Sequence, residues 1–385
     1  MSRLTILFAI LFMVSCKKDQ TPIEKILDAD NPILKKVMND LEGHEVQILY
    51  TQIDRDSVGK PYFTDHSFQL DNNQYFYPAS TVKMPIAFLA LEKLKAMQQN
   101  NINVNRNTPY QFEGDSIQHT ISKDIIEIFA VSDNAAFNRL YEFLGRDYIN
   151  QKMEEKGLVP SRLAHRLSIP NSAKNETKTM MFFIGDSLAH RQESIKNQVV
   201  MPIAITKVSK GKGYKEGGKL IEKPMDFSEK NYYSLSAMHN SMKQLVIPNL
   251  FDEQKRFDIS KVDREFLIVA MSTLPKDVKF KKYDPETYYD SYVKFFMYGD
   301  KKDPIPANVS VYNKVGYAYG YLTDCAYITD YENKIAFILT ATIHVNENQI
   351  FNDDTYEYDE VGIPFLAELG RQVYQYELNR KTQDQ

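Results

Sequence analysis

Five places in this chain pair a serine with a lysine three residues later, and one of them is set up for chemistry: Ser80-Thr81-Val82-Lys83. At the start of a helix this spacing puts hydroxyl and amine on one face, where the amine can take the hydroxyl proton and leave a nucleophile. The other four pairs, Ser15/Lys18, Ser57/Lys60, Ser209/Lys212 and Ser291/Lys294, lack that setting. Ser15 ends an apolar leader, Ser57 and Ser209 sit among Gly, Lys and Asp, and Ser291 follows an acidic, tyrosine-rich loop. After Ser80 come Val82, Ile86, Leu89, Ala90, Leu94 and Met97, with Phe88 and Leu91 also apolar, which predicts a helix buried on most sides. Pro85 fits only if that helix begins near Ser80, because first-turn amides have no partner to lose. The serine is thereby placed where unpaired backbone amides favour negative charge.

Two further polar clusters can serve that serine. Ser132-Asp133-Asn134 interrupts two apolar helical runs, 122–131 and 135–145, so a short connection can point three polar side chains into a shared site. Lys314-Val315-Gly316 continues the strand-like run that begins at Val309. Lys-x-Gly recurs at Lys215 to Gly217, but within a Gly/Lys loop.

The elements around these motifs follow from periodicity. Asn31 and Pro32 predict the cap and first residue of a helix carrying Ile33, Leu34, Val37, Met38 and Leu41. Residues 45–53 and 67–70 read as a strand pair, 235–247 and 261–274 as helices, the latter with Val262, Phe266, Val269 and Ala270 on its apolar face. Strands follow at 309–314, 326–329 and 335–343, then a closing helix over 364–378. Two early strands, a central helical block, three late strands and a helix at each end predict an α+β fold. Its plan is one antiparallel five-stranded sheet with terminal helices on one face and a helical subdomain on the other. Residues 182–232 show little pattern, and 207–219 read as a mobile, solvated Lys/Gly-rich loop.

With 385 residues, 43% of them hydrophobic and 25% charged, the chain can bury a substantial core. A net charge of −4 speaks against nucleic acid as the main partner. Arg3 precedes an apolar run, Leu4 to Val14, too short for a membrane span of roughly 20 residues and suited to a secretory signal. Ser15-Cys16 at its end resembles the lipobox of bacterial lipoproteins, which implies lipidation at Cys16, a signal peptide over 1–16, a charged tether over 17–30 and a catalytic domain over 31–380. Ordinary secretion is the alternative, and both readings place the protein outside the cytoplasm. Cys325 is then the one remaining thiol; its apolar neighbours predict a buried core residue rather than a nucleophile.

Taken together and in this order, Ser80-x-x-Lys83, Ser132-Asp133-Asn134 and Lys314-Val315-Gly316 resemble the three motifs of class A β-lactamases and penicillin-binding proteins. Gly320 and Asp324 resemble that family's continuation beyond the third motif. The resemblance implies a serine hydrolase without metal or cofactor, acting on a β-lactam or a cell-wall peptide amide. Ser80 would be acylated, Lys83 would be its base or proton relay, and Ser132 would pass a proton to the leaving nitrogen with Lys314 beside it. Asn134 and Gly316 would meet the substrate, and the amides of Ser80 and Tyr317 would form the oxyanion hole.

Two departures from the family pattern bear on turnover. Val315 replaces a Thr or Ser hydroxyl that contacts the substrate carboxylate, which predicts weaker binding of acidic substrates. The stretch Arg166 to Asn175 runs parallel to the loop that supplies the deacylating glutamate, and it places Asn171 at that position; Glu176 reads as a solvated loop residue. An amide is no general base, so efficient β-lactam hydrolysis is not expected. Slow turnover in the manner of a penicillin-binding, D,D-peptidase-like enzyme and a catalytically idle cleft that binds cell-wall peptide or a protein partner both stay open.

Overall fold

In the computed structural model, residues 20–198 and 202–383 are described. The lipidation site expected at Cys16 lies outside them, and no helix among the described residues is long and apolar enough to cross a membrane.

Five strands form the central antiparallel sheet: β1 (Gln47–Arg55), β2 (Pro61–Phe68), β3 (Val309–Ala318), β4 (Tyr321–Asp330) and β5 (Ile335–His344), in the order β3-β4-β5-β1-β2. Alternation sorts each strand's residues between two cores. Ile48 and Tyr50 of β1 pack beneath the terminal helices with Leu34, Val37, Phe365 and Leu369, while Leu49 faces the helical subdomain with Phe88, Ile128 and Phe137. This is the α+β plan expected from the sequence. Strand β3 lies at the sheet edge and carries the third motif.

Several local expectations are corrected. Residues 22–27, read as tether, form a helix (Pro22–Leu27) with a Thr21/Glu24 capping box, and its Ile23, Ile26 and Leu27 are buried. The 207–219 stretch is no mobile loop: Ser209–Lys210 pairs with Met225–Asp226, and Gly213–Glu216 pairs with Lys219–Ile221 and with Ile350–Phe351. Most of the stretch is solvent-exposed, as expected; among its lysines Lys210 is the exception, buried against Glu45 at 2.7 Å. In the Lys261–Ser272 helix Leu267, Ala270 and Met271 are buried, whereas Val262 and Val269 are 60% and 65% exposed, so the apolar face was assigned about a quarter-turn away.

Candidate active site

The turn that presents Ser80 is the most constrained stretch of the site. A 3-10 turn, Ala79–Val82, runs directly into the Lys83–Gln99 helix. Ala79 holds a left-handed φ of 45°, a conformation that strains a residue with a Cβ. The Pro78 carbonyl ties the turn down by accepting from the Thr81 amide (3.1 Å) and the Thr81 hydroxyl (2.7 Å). Strand β3 then crosses the turn so closely that a Cβ on Gly316 would lie 2.5 Å from the Pro78 oxygen and 2.9 Å from the Ser80 and Thr81 nitrogens. The glycine of the third motif is therefore set by the serine turn, two segments more than 230 residues apart in the chain.

Ser132 ends the Ile121–Val131 helix in a left-handed conformation (φ 58°), and Asp133 caps the Asn134–Leu144 helix by accepting from the Ala136 amide at 2.7 Å. Two caps meeting head to tail turn the Ser132 hydroxyl and the Asn134 amide toward Lys83. The buried Lys83 ammonium donates to the Ser132 carbonyl, to Ser132 Oγ (3.2 Å) and to Asn134 Oδ1 (2.6 Å). From the opposite side Lys314 donates to the same Ser132 Oγ (2.9 Å) and to the Val315 carbonyl (2.9 Å). The three motifs thus converge on one hydroxyl held between two amines. Ser80 is half-buried at the edge of this cluster, and its hydroxyl makes no hydrogen bond with a described residue; the Ser80–Lys83 bond expected from the spacing is replaced by the amine's bonds to Ser132 and Asn134.

Burial controls the protonation of both amines. It pushes Lys83 down to about 7, with Asp133 pulling the other way. Lys314 is held well below the usual lysine range by burial first and by the Lys83 charge second. An amine near 7 accepts a proton readily at neutral pH, which an ordinary lysine does not.

The loop at 166–176 is fastened from below. Arg166 pairs with buried Glu142 (2.6 Å) and donates to the carbonyls of Ser172, Lys174 and Glu176, while Asn138 bonds the Leu167 amide and carbonyl at 2.9 Å each. The residue this framework brings to the site is Ser168, whose hydroxyl accepts from Asn134 Nδ2 at 3.0 Å. Asn171, expected in that place, is exposed and makes no side-chain hydrogen bond with a described residue, and Glu176 is half-exposed 4.0 Å from Lys174. Sequence reasoning missed Ser168 because the register was counted along the loop, and the Arg166 and Asn138 anchors set it otherwise. The outcome for chemistry is the same or stricter: the loop presents a hydroxyl, not a carboxylate.

Beside Ser168 opens a cavity of about 560 Å³ lined by Tyr77, Tyr317, Tyr319, Tyr356 and Tyr358 and by Lys230. Tyr77 stands three residues before Ser80, while Tyr356 and Tyr358 come from the connection after β5, a segment with no motif to mark it. Cys325, as expected, is fully buried, and burial pushes its thiol well above the ordinary range, so it is inert.

Fold and site together define a β-lactamase-like hydrolase. A family model described as the β-lactamase enzyme family matches residues 32–262, more than half of the chain, and the chain belongs to that family. The matched span holds the first two motifs and ends before Lys314, which the fold alone brings to them. Among solved structures, a β-lactamase from Xanthomonas campestris pv. campestris is similar with a TM-score of 0.51 at 10% identity, covering 92% of this chain and 98% of that one. A β-lactamase from Desulfarculus baarsii gives 0.50 at 12% identity, covering 92% and 96%. At such identity these likenesses bear on the fold. No curated protein matches this sequence.

Proposed function

We propose that the protein is a serine acyl-transfer hydrolase of the class A type, acylated on Ser80 by a β-lactam or a related peptide amide and slow to release the acyl group. The observation that carries this reading is the Ser132 hydroxyl between Lys83 and Lys314, at 3.2 and 2.9 Å, beside the Ser80 turn. In the proposed reaction Ser80 Oγ attacks the carbonyl carbon while the Lys83 amine takes its proton. The oxyanion is met by the Ser80 and Tyr317 amides. The C–N bond then breaks as Ser132 gives its proton to the leaving nitrogen and is reprotonated from the lysines. Asn134 orients the substrate amide, and Gly316 lets strand β3 lie against the nucleophile.

Deacylation needs a base for water. Ser168 and Asn171 supply none, which favours a long-lived acyl-enzyme and, as a second reading, a D,D-peptidase-like cell-wall peptide hydrolase of the penicillin-binding kind. We place the protein outside the cytoplasm, anchored to a membrane by lipid on Cys16, from the leader sequence. The test is labelling with a fluorescent penicillin, read as an adduct mass on intact protein. One adduct on the wild type and none on Ser80→Ala is expected; no wild-type adduct, or an equal one on Ser80→Ala, overturns the assignment.

A further inference from the structure

The connection after β5 walls two cavities. Asn352, Tyr356 and Tyr358 line the one beside Ser168, while Asn346, Phe351 and Glu357 line a second, of about 550 Å³, which the acyl-transfer chemistry does not use. The rest of its wall comes from the Leu41–His44 turn and from Lys210 and Gly211. These segments are pressed together rather than loosely apposed. The Lys212 amide donates to the Gln349 carbonyl (3.0 Å), and a Cβ on Gly211 would lie 2.5 Å from that same oxygen.

Asn346 is the residue in this wall that calls for an occupant. It is 7% exposed, yet neither its Oδ1 nor its Nδ2 has a hydrogen-bond partner among the described residues. Burying a donor and an acceptor unpaired is costly, and folded proteins seldom do so without a bound group to satisfy them. The amide needs a group that gives one hydrogen bond and takes another. Charge narrows the choice further. Carboxylates of Asp40, Glu42, Glu45, Glu347 and Glu357 line the cavity, against the amines of Lys36 and Lys210. Lys210 is paired with Glu45 at 2.7 Å, which leaves four carboxylates and one lysine. Two histidines, His44 and His344, complete the polar lining, and burial brings His344 down to about 4, so it is uncharged at neutral pH. Among the described residues no three His, Cys, Asp or Glu side chains come together as a metal site, so the cation that fits this lining is organic.

We propose that this cavity binds an amine-bearing amide, the basic end of a peptide, with its ammonium among the Glu42, Glu347 and Glu357 carboxylates and its amide group on Asn346. Nδ2 of Asn346 donates to the ligand carbonyl, and Oδ1 accepts from the ligand N–H. Phe351 and Val361 supply the apolar part of the lining for an aliphatic stem. None of these residues belongs to the Ser80 cluster, so the site stands or falls independently of the acyl-transfer reading.

The probe is lysinamide, which carries two ammonium groups and a primary amide. It is titrated into the full chain by calorimetry and against the Asn346 side-chain amide resonance of ¹⁵N-labelled protein, identified by its loss in Asn346→Ala. Saturable binding that moves this resonance is expected. Asn346→Ala weakens binding about tenfold, the worth of two neutral hydrogen bonds, with no fall in the thermal midpoint of the free protein, because the substitution removes an unpaired amide and no bond. Glu42→Gln combined with Glu347→Gln, both on the exposed rim, weakens it about fivefold, and added salt weakens it in the wild type. Ser80→Ala binds lysinamide as the wild type does, whatever the outcome of penicillin labelling. The proposal is overturned by an absence of saturable binding, by equal affinity in Asn346→Ala, by uncharged N-acetylnorleucinamide binding as tightly as lysinamide, or by loss of binding in Ser80→Ala. Displacement of lysinamide by an equal concentration of calcium overturns it as well, in favour of a metal site. Should Asn346→Ala not fold, the glutamate pair and the uncharged amide decide.

Discussion

Gly316→Ala is the sharpest test of how this site is held together. The added Cβ would meet the Pro78 oxygen at 2.5 Å and the Ser80 and Thr81 nitrogens at 2.9 Å, all backbone atoms with no flexible side chain to yield. Ordinary Cβ contacts begin at 3.4 Å, so strand and turn must part by about 0.9 Å. The strand cannot move away freely, because it is paired with β4 along its whole length and fastened by Asn313. The turn cannot relax either, since Ala79 is already in a left-handed conformation. A displacement near 1 Å at a reacting centre is worth about 100-fold in rate, and overpacking of this kind destabilises by about 1–3 kcal/mol. The assay is the second-order rate constant for fluorescent-penicillin acylation, measured with the thermal midpoint of the same samples. Loss of acylation by about 100-fold in a protein that remains folded is expected. Acylation within about threefold of the wild type would show that β3 does not press on the serine turn and that the oxyanion assignment built on that approach is wrong.

Two further outcomes follow from the loop and from the buried amines. Ser168→Glu places a carboxylate beside Asn134 and should shorten the acyl-enzyme lifetime at least about tenfold, a modest share of what general-base catalysis provides. Asn171→Glu should leave the lifetime unchanged; release of the labelled adduct measured over time separates the two, and the reverse result would restore the register expected from sequence. Because Lys83 must be unprotonated to accept the Ser80 proton and burial sets it near 7, acylation should be half-maximal close to pH 7 and fall about tenfold per unit well below it. The same shift carries a stability sign. The folded-state value lies below the unfolded one, so the unfolded chain binds more protons between about pH 7 and 10.5, and this group's contribution to stability rises with pH across that window. A flat acylation profile between pH 5.5 and 8 would remove Lys83 as the base.

How much of this was legible beforehand depended on whether local chemistry or tertiary contact decided each point. Apolar periodicity placed the serine helix, the two helices around Ser132-Asp133-Asn134 and the three late strands, because burial of one face is written into spacing. Cap chemistry did the same for Asn31, whose Oδ1 accepts from Ile33 and Leu34. The 207–219 stretch was read correctly as solvated over most of its length, but its strand pairing was missed because the partners lie in distant segments, and Lys210 is drawn inside by Glu45, some 165 residues earlier. Ser168 was missed for a related reason: its place depends on Arg166 reaching Glu142 and on Asn138 clasping Leu167, and neither contact has a local signature.

The three motifs could be read from sequence, yet what sets the protonation of their lysines could not. Lys83 and Lys314 are ordinary lysines as letters; they become candidate bases because the fold buries both against one serine hydroxyl, and among the described residues no carboxylate is bonded to either amine. The nearest compensating charges are one residue or one strand away, Asp133 beside Lys83 and Asp324 behind Lys314. A direct ion pair would have raised each amine back toward the ordinary lysine range and ended its use as a base. With the carboxylates held at that remove burial keeps both amines low, and Asp324 instead accepts from two backbone amides and from Asn313.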